Sequence, residues 1–599
     1  MSADNGKSPS TAPPRPSAER VEDIIRKRLE DERAKLMEEM GVALPEREHF
    51  ARPVERDFTG DQRAHTTILF GGLTWKHEQL IRGALAGLGY SVEPLPVPDV
   101  RAFQLGKEYG NNGQCNPTYF TVGNLVQYLQ KLEEDGKSRQ EILDNYVFIT
   151  AGACGPCRFG MYEAEYRLAL RNSGFDGFRV MLFQQSGGLS QSEAGAGLEM
   201  NTDFFLAILN AMNMGDLVND VGYQTRPFEI EEGSTTTALN AAMDELEEIF
   251  ATKQTYELEG ASGTVLKTML RGKADMVGKF LDQLYGKEYA DAFSDLGRKL
   301  DESVQVDRTL VKPIVKITGE FWAQTTEGDG NFNMFPFLER EGAQVLVEPV
   351  GTWIMYMIHQ AKQMNKDRAG VTDEEAMPSA WRIDKKMANS WTSSKKNAKL
   401  SAAEMIFKRE WNRLRDALGG IPHELTDQYE LQRLGHPLYN SRAGGGEGHL
   451  EVAKNIYYSN KDMCHMVLSL KPFGCMPSTQ SDGVQSAVVN LYKDIIYLPV
   501  ETSGEGEINA HSRVQMALGE AKVKAKQEIE RVVEETGVTL EEARAYADEH
   551  PDLKRPLYKV PHYKGTVGTA ANFLRHVAAL KAGTEELTST KLELAGAGR

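Results

Sequence analysis

The stretch NYVFITAGACGPCRFGMYEAEYRLALRNSGFDGFRVMLFQQ (residues 145–185) decides the fold of this chain. A short apolar run comes first, followed by a loop rich in Gly and Cys, apolar residues at helical spacing, and a second apolar run. This order predicts strands at 145–152 and 178–185, joined by a helix at 160–173. A crossover helix carries the chain back to the end of the sheet at which the first strand began. The two strands are therefore predicted to run parallel.

The alternation of strands and helices continues on both sides of this stretch. Upstream, TTILFGG (66–72) and YSVEPLPV (90–97) predict two more strands. A second unit of the same kind is predicted from four apolar runs: PIVKITGEF (313–321), AQVLVEPV (343–350), MCHMVLSLKPFGC (463–475) and DIIYLPVE (494–501). We therefore predict an α/β fold of two Rossmann-like lobes with parallel sheets and inserted helical segments.

These patterns divide the chain into six regions. We predict a disordered tail and N-terminal helix at 1–60, a first Rossmann-like lobe at 61–225, a helical segment at 226–310, a second lobe at 311–360 and 440–535, a helical insertion at 361–439, and a C-terminal extension at 536–599. The N-terminal helix, about 18–40, either packs on the body as a surface helix or serves as a partner helix.

The composition excludes several classes of protein. Of 599 residues, 41% are hydrophobic, and no apolar run approaches the ~20 residues that cross a bilayer. The formal net charge of −17 repels nucleic-acid phosphates. The N-terminus lacks the apolar stretch of a secretory signal. We expect a cytoplasmic protein that binds neither membrane nor nucleic acid.

Four of the five cysteines lie in turn-like segments. These segments are GNNGQCNPTYF, GACGPCRFGMY and KPFGCMPST, which contain Cys115, Cys154, Cys157 and Cys475. Two of them follow a predicted strand, and Cys115 precedes a helix predicted to start near Phe120. Backbone N–H groups at a helix N-terminus stabilise negative charge, and Gly allows the backbone to approach sulfur closely. The pattern is suited to thiolate ligands of an iron–sulfur cluster.

The spacing of these cysteines leaves alternatives open. A single CxxC pair is also found in redox dithiols and in half of a zinc site. The redox motif follows the first strand of its fold, whereas this pair follows the third, and structural zinc usually takes a second close pair. Widely separated ligands from two α/β units favour a cluster at their interface. A zinc site and unligated structural cysteines remain alternatives.

Other residues have weaker signals. Cys464 and His465 lie in an apolar run, which favours a buried structural Cys and a core His. Glu320 in TGEFW and Glu447 in GGGEGH follow Gly-rich turns and are candidates for proton transfer. The segment EEGSTTT (231–237) is faintly similar to the phosphate loop of actin-like ATPases. Its polar flank and following helix favour Ser234 and Thr235 as helix N-caps instead.

Five segments together carry a resemblance. They are GQCNPTYFTVGNLVQYL, TAGACGPCRFGMYEAEYRLAL, ITGEFW, AGGGEGHLEVAKN and LKPFGCMPST, and they resemble the 2-hydroxyacyl-CoA dehydratase group, more closely its activase-related proteins. The likeness covers about 65–225 and 310–520. It implies a [4Fe-4S] cluster between two lobes, with Cys115, Cys157 and Cys475 as ligands. Cys154 is then the fourth ligand, or a neighbour of an open iron site.

The resemblance also implies an activity. In that group an ATP-hydrolysing activase donates one low-potential electron to the cluster protein, which reduces an acyl-CoA thioester to a ketyl radical in anaerobic metabolism. The actin-like ATPase domain is missing from this sequence, so a separate activase subunit is expected in a homo- or hetero-oligomer. The alternative is a non-catalytic electron carrier or maturation factor that holds a cluster for a partner enzyme.

Overall fold

The structure is a computed structural model. It describes residues 56–152, 157–184, 196–253, 286–368 and 383–585, with short pieces at 27–29, 31–32, 35, 278–279 and 282; the side chains of 383–392 are not described. The chain divides into residues 1–54 and 55–599. The predicted tail and Cys154 lie outside the described residues. Of the predicted N-terminal helix, only the pieces between 27 and 35 are described, and they are helical.

Eight strands form two parallel sheets of four. The first contains β1 (Thr67–Phe70), β2 (Ser91–Pro94), β3 (Tyr146–Gly152) and β4 (Arg179–Gln184), in the order β2-β1-β3-β4. The second contains β5 (Ile314–Gly319), β6 (Gln344–Leu346), β7 (Met466–Pro472) and β8 (Ile496–Thr502), in the order β6-β5-β7-β8. The predicted α/β fold with two Rossmann-like lobes is therefore confirmed.

The two sheets share a topology that indicates where each could bind a ligand. In each, the strand order reverses beside the first strand, between β1 and β3 and between β5 and β7. In α/β proteins, the loops that leave such neighbouring strands border a crevice at the carboxyl ends of the strands. Ligands bind in this crevice. Cys157 follows β3, Glu320 follows β5 and Cys475 follows β7.

Helices cover the sheets and connect the lobes. Those of the first lobe are α1 (Trp75–Gly87), α2 (Val100–Tyr109), α3 (Asn116–Glu134), α4 (Arg139–Asn145) and α5 (Tyr162–Asn172). The segment of chain between the two lobes contains α6 (Thr202–Thr225), α7 (Ser234–Thr252) and α8 (Glu288–Ser303). The buried side of α3 carries apolar residues three or four apart, which pack on the sheet: Val122, Leu125, Val126, Leu129 and Leu132.

The second lobe has its own helices, and an extension follows it. They are α9 (Phe321–Thr325), α10 (Met334–Arg340), α11 (Val350–Asp367), α12 (Ile383–Ala417), α13 (Gln428–Gly435), α14 (Gly448–Asn460), α15 (Met476–Leu491) and α16 (Glu507–Thr536). The extension contains α17 (Leu540–Glu549) and α18 (Thr569–Lys581). Every residue of β7 is buried, as expected for a central strand of a parallel sheet. No helix among the described residues is both long and apolar enough to cross a bilayer.

Two helices start earlier than the sequence predicts. The helix expected near Phe120 begins at Asn116, and the helix that the sequence pattern predicts over 482–492 begins at Met476. In both cases a Pro occupies the first turn, where its missing N–H needs no partner. Ser234 and Thr235 are not N-caps: the helix begins at Ser234 after Gly233, and the Glu229 carboxylate accepts the N–H groups of Gly233 and Thr235.

Candidate functional site

Three of the predicted cysteines stand at the start of a helical segment. Cys115 directly precedes α3, Cys475 directly precedes α15, and Cys157 precedes a short 3-10 turn at Arg158–Met161. All three are free thiols; Cys115 and Cys475 are buried and Cys157 is partly exposed. A helix after Cys115 is expected from the sequence, whereas the helix directly after Cys475 is not.

Glycines bring the loops of the two lobes together around these cysteines. Gly474 has φ +76°, and a Cβ there would lie 3.1 Å from the Gln114 carbonyl oxygen and 3.5 Å from the Cys115 Cα. A Cβ on Gly446, φ +96°, would lie 3.7 Å from the Cys157 Cβ. Two loops of the second lobe therefore touch the two cysteine loops of the first. Cys475 directly follows Gly474, and Glu447 directly follows Gly446.

A four-residue motif surrounds two of the sulfurs. Cys115 and Cys475 each begin the sequence Cys-Xaa-Pro-Thr/Ser, ending in Thr118 and Ser478. The Cys115 Sγ lies 3.2 Å from the Thr118 Oγ1 and 3.1 Å from the Tyr162 hydroxyl. In both motifs the hydroxyl and the backbone N–H of the fourth residue lower the thiol pKa. Hydrogen bonds of this kind stabilise thiolates at helix N-termini.

Burial and nearby carboxylates raise the pKa of these thiols by more than the hydrogen bonds lower it. Burial raises the pKa of the Cys115 and Cys475 thiols, and the nearby Glu320 raises both further. Burial also raises the pKa of Cys157 to about 12, with added contributions from Glu447, Glu320 and Cys115. The contacts of Gly474 and Gly446 place the loops of Cys115, Cys157, Cys475 and Glu447 in one region.

The two predicted carboxyl groups lie in this region. Glu320 caps α9, and its carboxylate accepts the Ala323 N–H at 2.9 Å. Although Glu320 is only partly buried as a residue, burial of its carboxyl raises the pKa to about 7. Glu447 precedes α14, and burial, followed by the charges of Glu320 and Glu451, raises its pKa well above the usual value. Glu320 can therefore carry a proton near neutral pH.

The donor atoms of this region are cysteine sulfurs, the ligand type of iron–sulfur clusters. Within the described ranges, no three Cys, His, Asp or Glu side chains are arranged to hold one metal ion. In an iron–sulfur cluster the thiolates bind different iron atoms, so they need not converge on a single point. A cationic metal core would also deprotonate its thiol ligands, against the effects of burial and of the carboxylates. Cys115, Cys157 and Cys475 would hold such a group.

Sequence reasoning missed four residues of this region. Thr118, Tyr162 and Ser478 contribute hydrogen bonds to the thiols, and Glu451 contributes charge. The repeated Cys-Xaa-Pro-Thr/Ser motif is a signal that could have identified Thr118 and Ser478. No comparable local signal marks Tyr162 or Glu451.

The remaining Cys and its neighbouring His lie at the opposite end of β7. Cys464 is buried among Leu346, Tyr458 and Val467, which agrees with a structural role. The His465 Nδ1 accepts the Ile314 N–H at 3.0 Å, and its Nε2 lies 3.4 Å from the Glu528 carboxylate. This His therefore has partners within the core of the second lobe.

No protein-family model matches the chain. No curated protein and no solved structure is significantly similar to it. Functional inference therefore depends on the site itself.

Proposed function

We propose that this chain is the iron–sulfur component of an ATP-driven, low-potential electron-transfer system related to 2-hydroxyacyl-CoA dehydratases and benzoyl-CoA-type reductases. Cys115, Cys157 and Cys475 would hold a [4Fe-4S] cluster, with Cys154 as the candidate fourth ligand. The observation that carries this proposal is the contact between the cysteine loops of the two lobes, with each of the three cysteines at the start of a helical segment. When bound, the cluster supplies one-electron transfer at low potential.

The two carboxyl groups favour an enzyme over a simple carrier. Glu320 and Glu447 lie beside the thiols, and burial close to other carboxylates raises the pKa of both. A carboxyl group with a raised pKa is suited to general acid catalysis. We infer that these residues deliver or take up protons as an acyl-CoA substrate is reduced or dehydrated.

The proposed chemistry needs a partner and a reducing compartment. A separate actin-like ATPase subunit would act as the activase that donates the electron. Free, buried cysteines are typical of the cytoplasm, where thiols stay reduced. We therefore place the protein there.

Metal analysis of anaerobically purified protein tests the cluster. We expect iron and acid-labile sulfide with an EPR signal on reduction, and loss of all three in Cys475→Ser. Cys464→Ser is the matched control, because Cys464 is buried away from the site and should leave the iron content unchanged. Zinc without iron, or an unchanged spectrum in Cys475→Ser, would overturn the proposal.

Cys154→Ser separates the enzyme from the carrier. An open iron site predicts that this variant keeps its cluster and that candidate acyl-CoAs change the EPR spectrum of the reduced protein. Loss of the cluster in Cys154→Ser, with no response to any acyl-CoA, would favour the electron carrier or maturation factor instead.

A further inference from the structure

The long helix α16 (Glu507–Thr536) carries apolar side chains on the face that points to solvent. Its inner face packs in the core of the second lobe through Ala510, Val514, Leu518 and Ala521. On the outer face, Ile508 is 82% exposed, Met516 is 72% exposed and Val523 is 54% exposed. Ile508 and Met516 have the highest exposure of the large hydrophobic side chains among the described residues.

These three residues belong to one row, which we call the outer stripe. It contains five residues at intervals of three or four, the spacing of neighbours on one face of a helix: Ile508, Ser512, Met516, Gly519 and Val523. The two members that are not apolar are small, and a Cβ on Gly519 would meet nothing within 4 Å. Single exposed apolar residues are common on protein surfaces, but a continuous row marks an interaction surface.

The outer stripe has nearly the same spacing when it is read from either end. If a second copy of α16 lies antiparallel with its Val523 opposite Ile508, the partner's Gly519 lies opposite Ser512. Met516 then lies within one residue of the two-fold axis, beside the partner's Met516. Two identical stripes can therefore pair over their whole length, as a closed two-fold interface requires.

Exposed charges along the edges of the outer stripe suit this antiparallel arrangement. Glu507 and Lys522 flank one edge, and Arg513 and Glu520 flank the other. In the antiparallel register, Glu507 lies within two residues, or about 3 Å along the axis, of the partner's Lys522. Arg513 lies equally close to the partner's Glu520. A parallel pair would instead set each charge beside the same charge of the other copy, and flanking charges of this kind select the orientation of helix pairs.

We propose that α16 is the self-association surface of this protein: two copies of the chain form a two-fold dimer by antiparallel pairing of their outer stripes. Pairing removes Ile508, Met516 and Val523 from water, and the hydrophobic effect supplies the driving force. The occupant is a second copy because the symmetry of the stripe and of its flanking charges suits an identical helix. The outer stripe contains none of the candidate site residues, so the dimer is independent of the proposed function.

Sedimentation equilibrium of the purified full-length protein over a range of concentrations tests the dimer. Wild type should be dimeric at the upper concentrations. Met516→Glu should raise the dissociation constant by about 100-fold, because it places two carboxylates near the two-fold axis. Met405→Glu, at a Met that is 66% exposed on α12, is the matched control and should leave the dissociation constant unchanged. A monomeric wild type, or a dimer that Met516→Glu weakens no more than Met405→Glu, overturns the proposal.

Charge exchange tests the direction of pairing. Lys522→Glu sets a carboxylate near the partner's Glu507 and should raise the dissociation constant about tenfold. The double variant Glu507→Lys/Lys522→Glu should restore the wild-type value, because it exchanges the two charges. Both residues are exposed, so these variants are expected to fold. Failure of the double variant to recover would contradict the antiparallel register.

Cysteine cross-linking provides a second measurement of direction. On mild oxidation, Met516→Cys should link the two chains, because position 516 lies near the two-fold axis. Ile508→Cys should not link them, since the two copies of position 508 would lie about 22 Å apart along the helix axis. Wild type, with its own free cysteines, gives the background. Links through both positions would show a parallel pair and overturn the arrangement.

Discussion

The backbone N–H of Asn116 donates a hydrogen bond of 3.0 Å to the carbonyl oxygen of Phe473, which joins the two lobes. Asn116 directly follows Cys115, and Phe473 lies two residues before Cys475. A main-chain bond therefore sets the relative position of two proposed ligands from different sheets.

Gly474→Ala should weaken the junction. The substitution places a Cβ at positive φ, 3.1 Å from the Gln114 carbonyl oxygen, and should lower the free energy of unfolding by about 1–2 kcal/mol. Urea unfolding measures this change. Gly483→Ala, in the exposed face of α15 with nothing within 4 Å of the added Cβ, should instead be neutral or stabilising. Equal destabilisation by the two substitutions would contradict the prediction.

Glu320 should make the metal-free protein less stable at alkaline pH. Its carboxyl keeps its proton up to a pKa of about 7 in the folded chain, against 4.5 in the ordinary state. This contribution to stability is complete below pH 4.5 and is lost as the pH rises through 7. From pH 4.5 to 8 the wild type should lose about 3 kcal/mol relative to Glu320→Gln.

Urea unfolding of wild type and Glu320→Gln at several pH values checks this difference. Glu505→Gln, which replaces an exposed carboxylate, is the control for removal of a surface charge. A constant difference between wild type and Glu320→Gln would show that the Glu320 carboxyl is not perturbed.

The buried pair of Lys316 and Glu348 should contribute strongly to the second lobe. The Lys316 Nζ lies 2.8 Å from the Glu348 Oε2, and both residues are buried. Lys316→Met should lower the free energy of unfolding by about 3–5 kcal/mol, because it deprives a buried carboxylate of its closest cation. The double variant Lys316→Met/Glu348→Leu should recover part of this loss in urea unfolding.

A surface pair provides the control for that measurement. Lys461 and Glu430 are 2.7 Å apart but partly exposed, so Lys461→Met should cost less than about 1 kcal/mol. If Lys316→Met and Lys461→Met lowered the free energy of unfolding equally, the buried pair would contribute no more to stability than the surface pair.

His449 should make the protein sensitive to acid. It is buried on α14, and neither ring nitrogen has a hydrogen-bond partner among the described residues. Burial, with help from His436 and His359, lowers its pKa to about 4. Because the unfolded chain takes up this proton near pH 6.5, stability should fall by about 3 kcal/mol as the pH drops from 6.5 to 4.

Acid unfolding followed by circular dichroism tests this prediction. His449→Leu should be less sensitive to acid than wild type over that range. His562→Leu, which replaces an exposed His, should follow the wild-type profile. Identical acid profiles for His449→Leu and wild type would rule out His449 as the source.

The sequence by itself determined the α/β class, the two lobes and, for Cys157 and Cys475, the position directly after a strand. Strands and helices leave local signals: short apolar runs, helical spacing of apolar residues, and Gly or Pro at the ends. For this reason β3, α5 and β4 could be predicted from residues 145–185 alone. The burial of Cys464 was also predictable from its apolar neighbours. Helix starts were less accurate, because Pro117 and Pro477 were not recognised as residues of a first turn.

Only the tertiary structure decided which groups face one another. The Asn116–Phe473 bond brings Cys115 and Cys475 into one region although they belong to different sheets. The roles of Tyr162 and Glu451 likewise depend on helices that meet only after folding. A pKa reflects burial and charges over several ångströms, and these are set by packing between distant segments, so a local pattern of residues does not contain them.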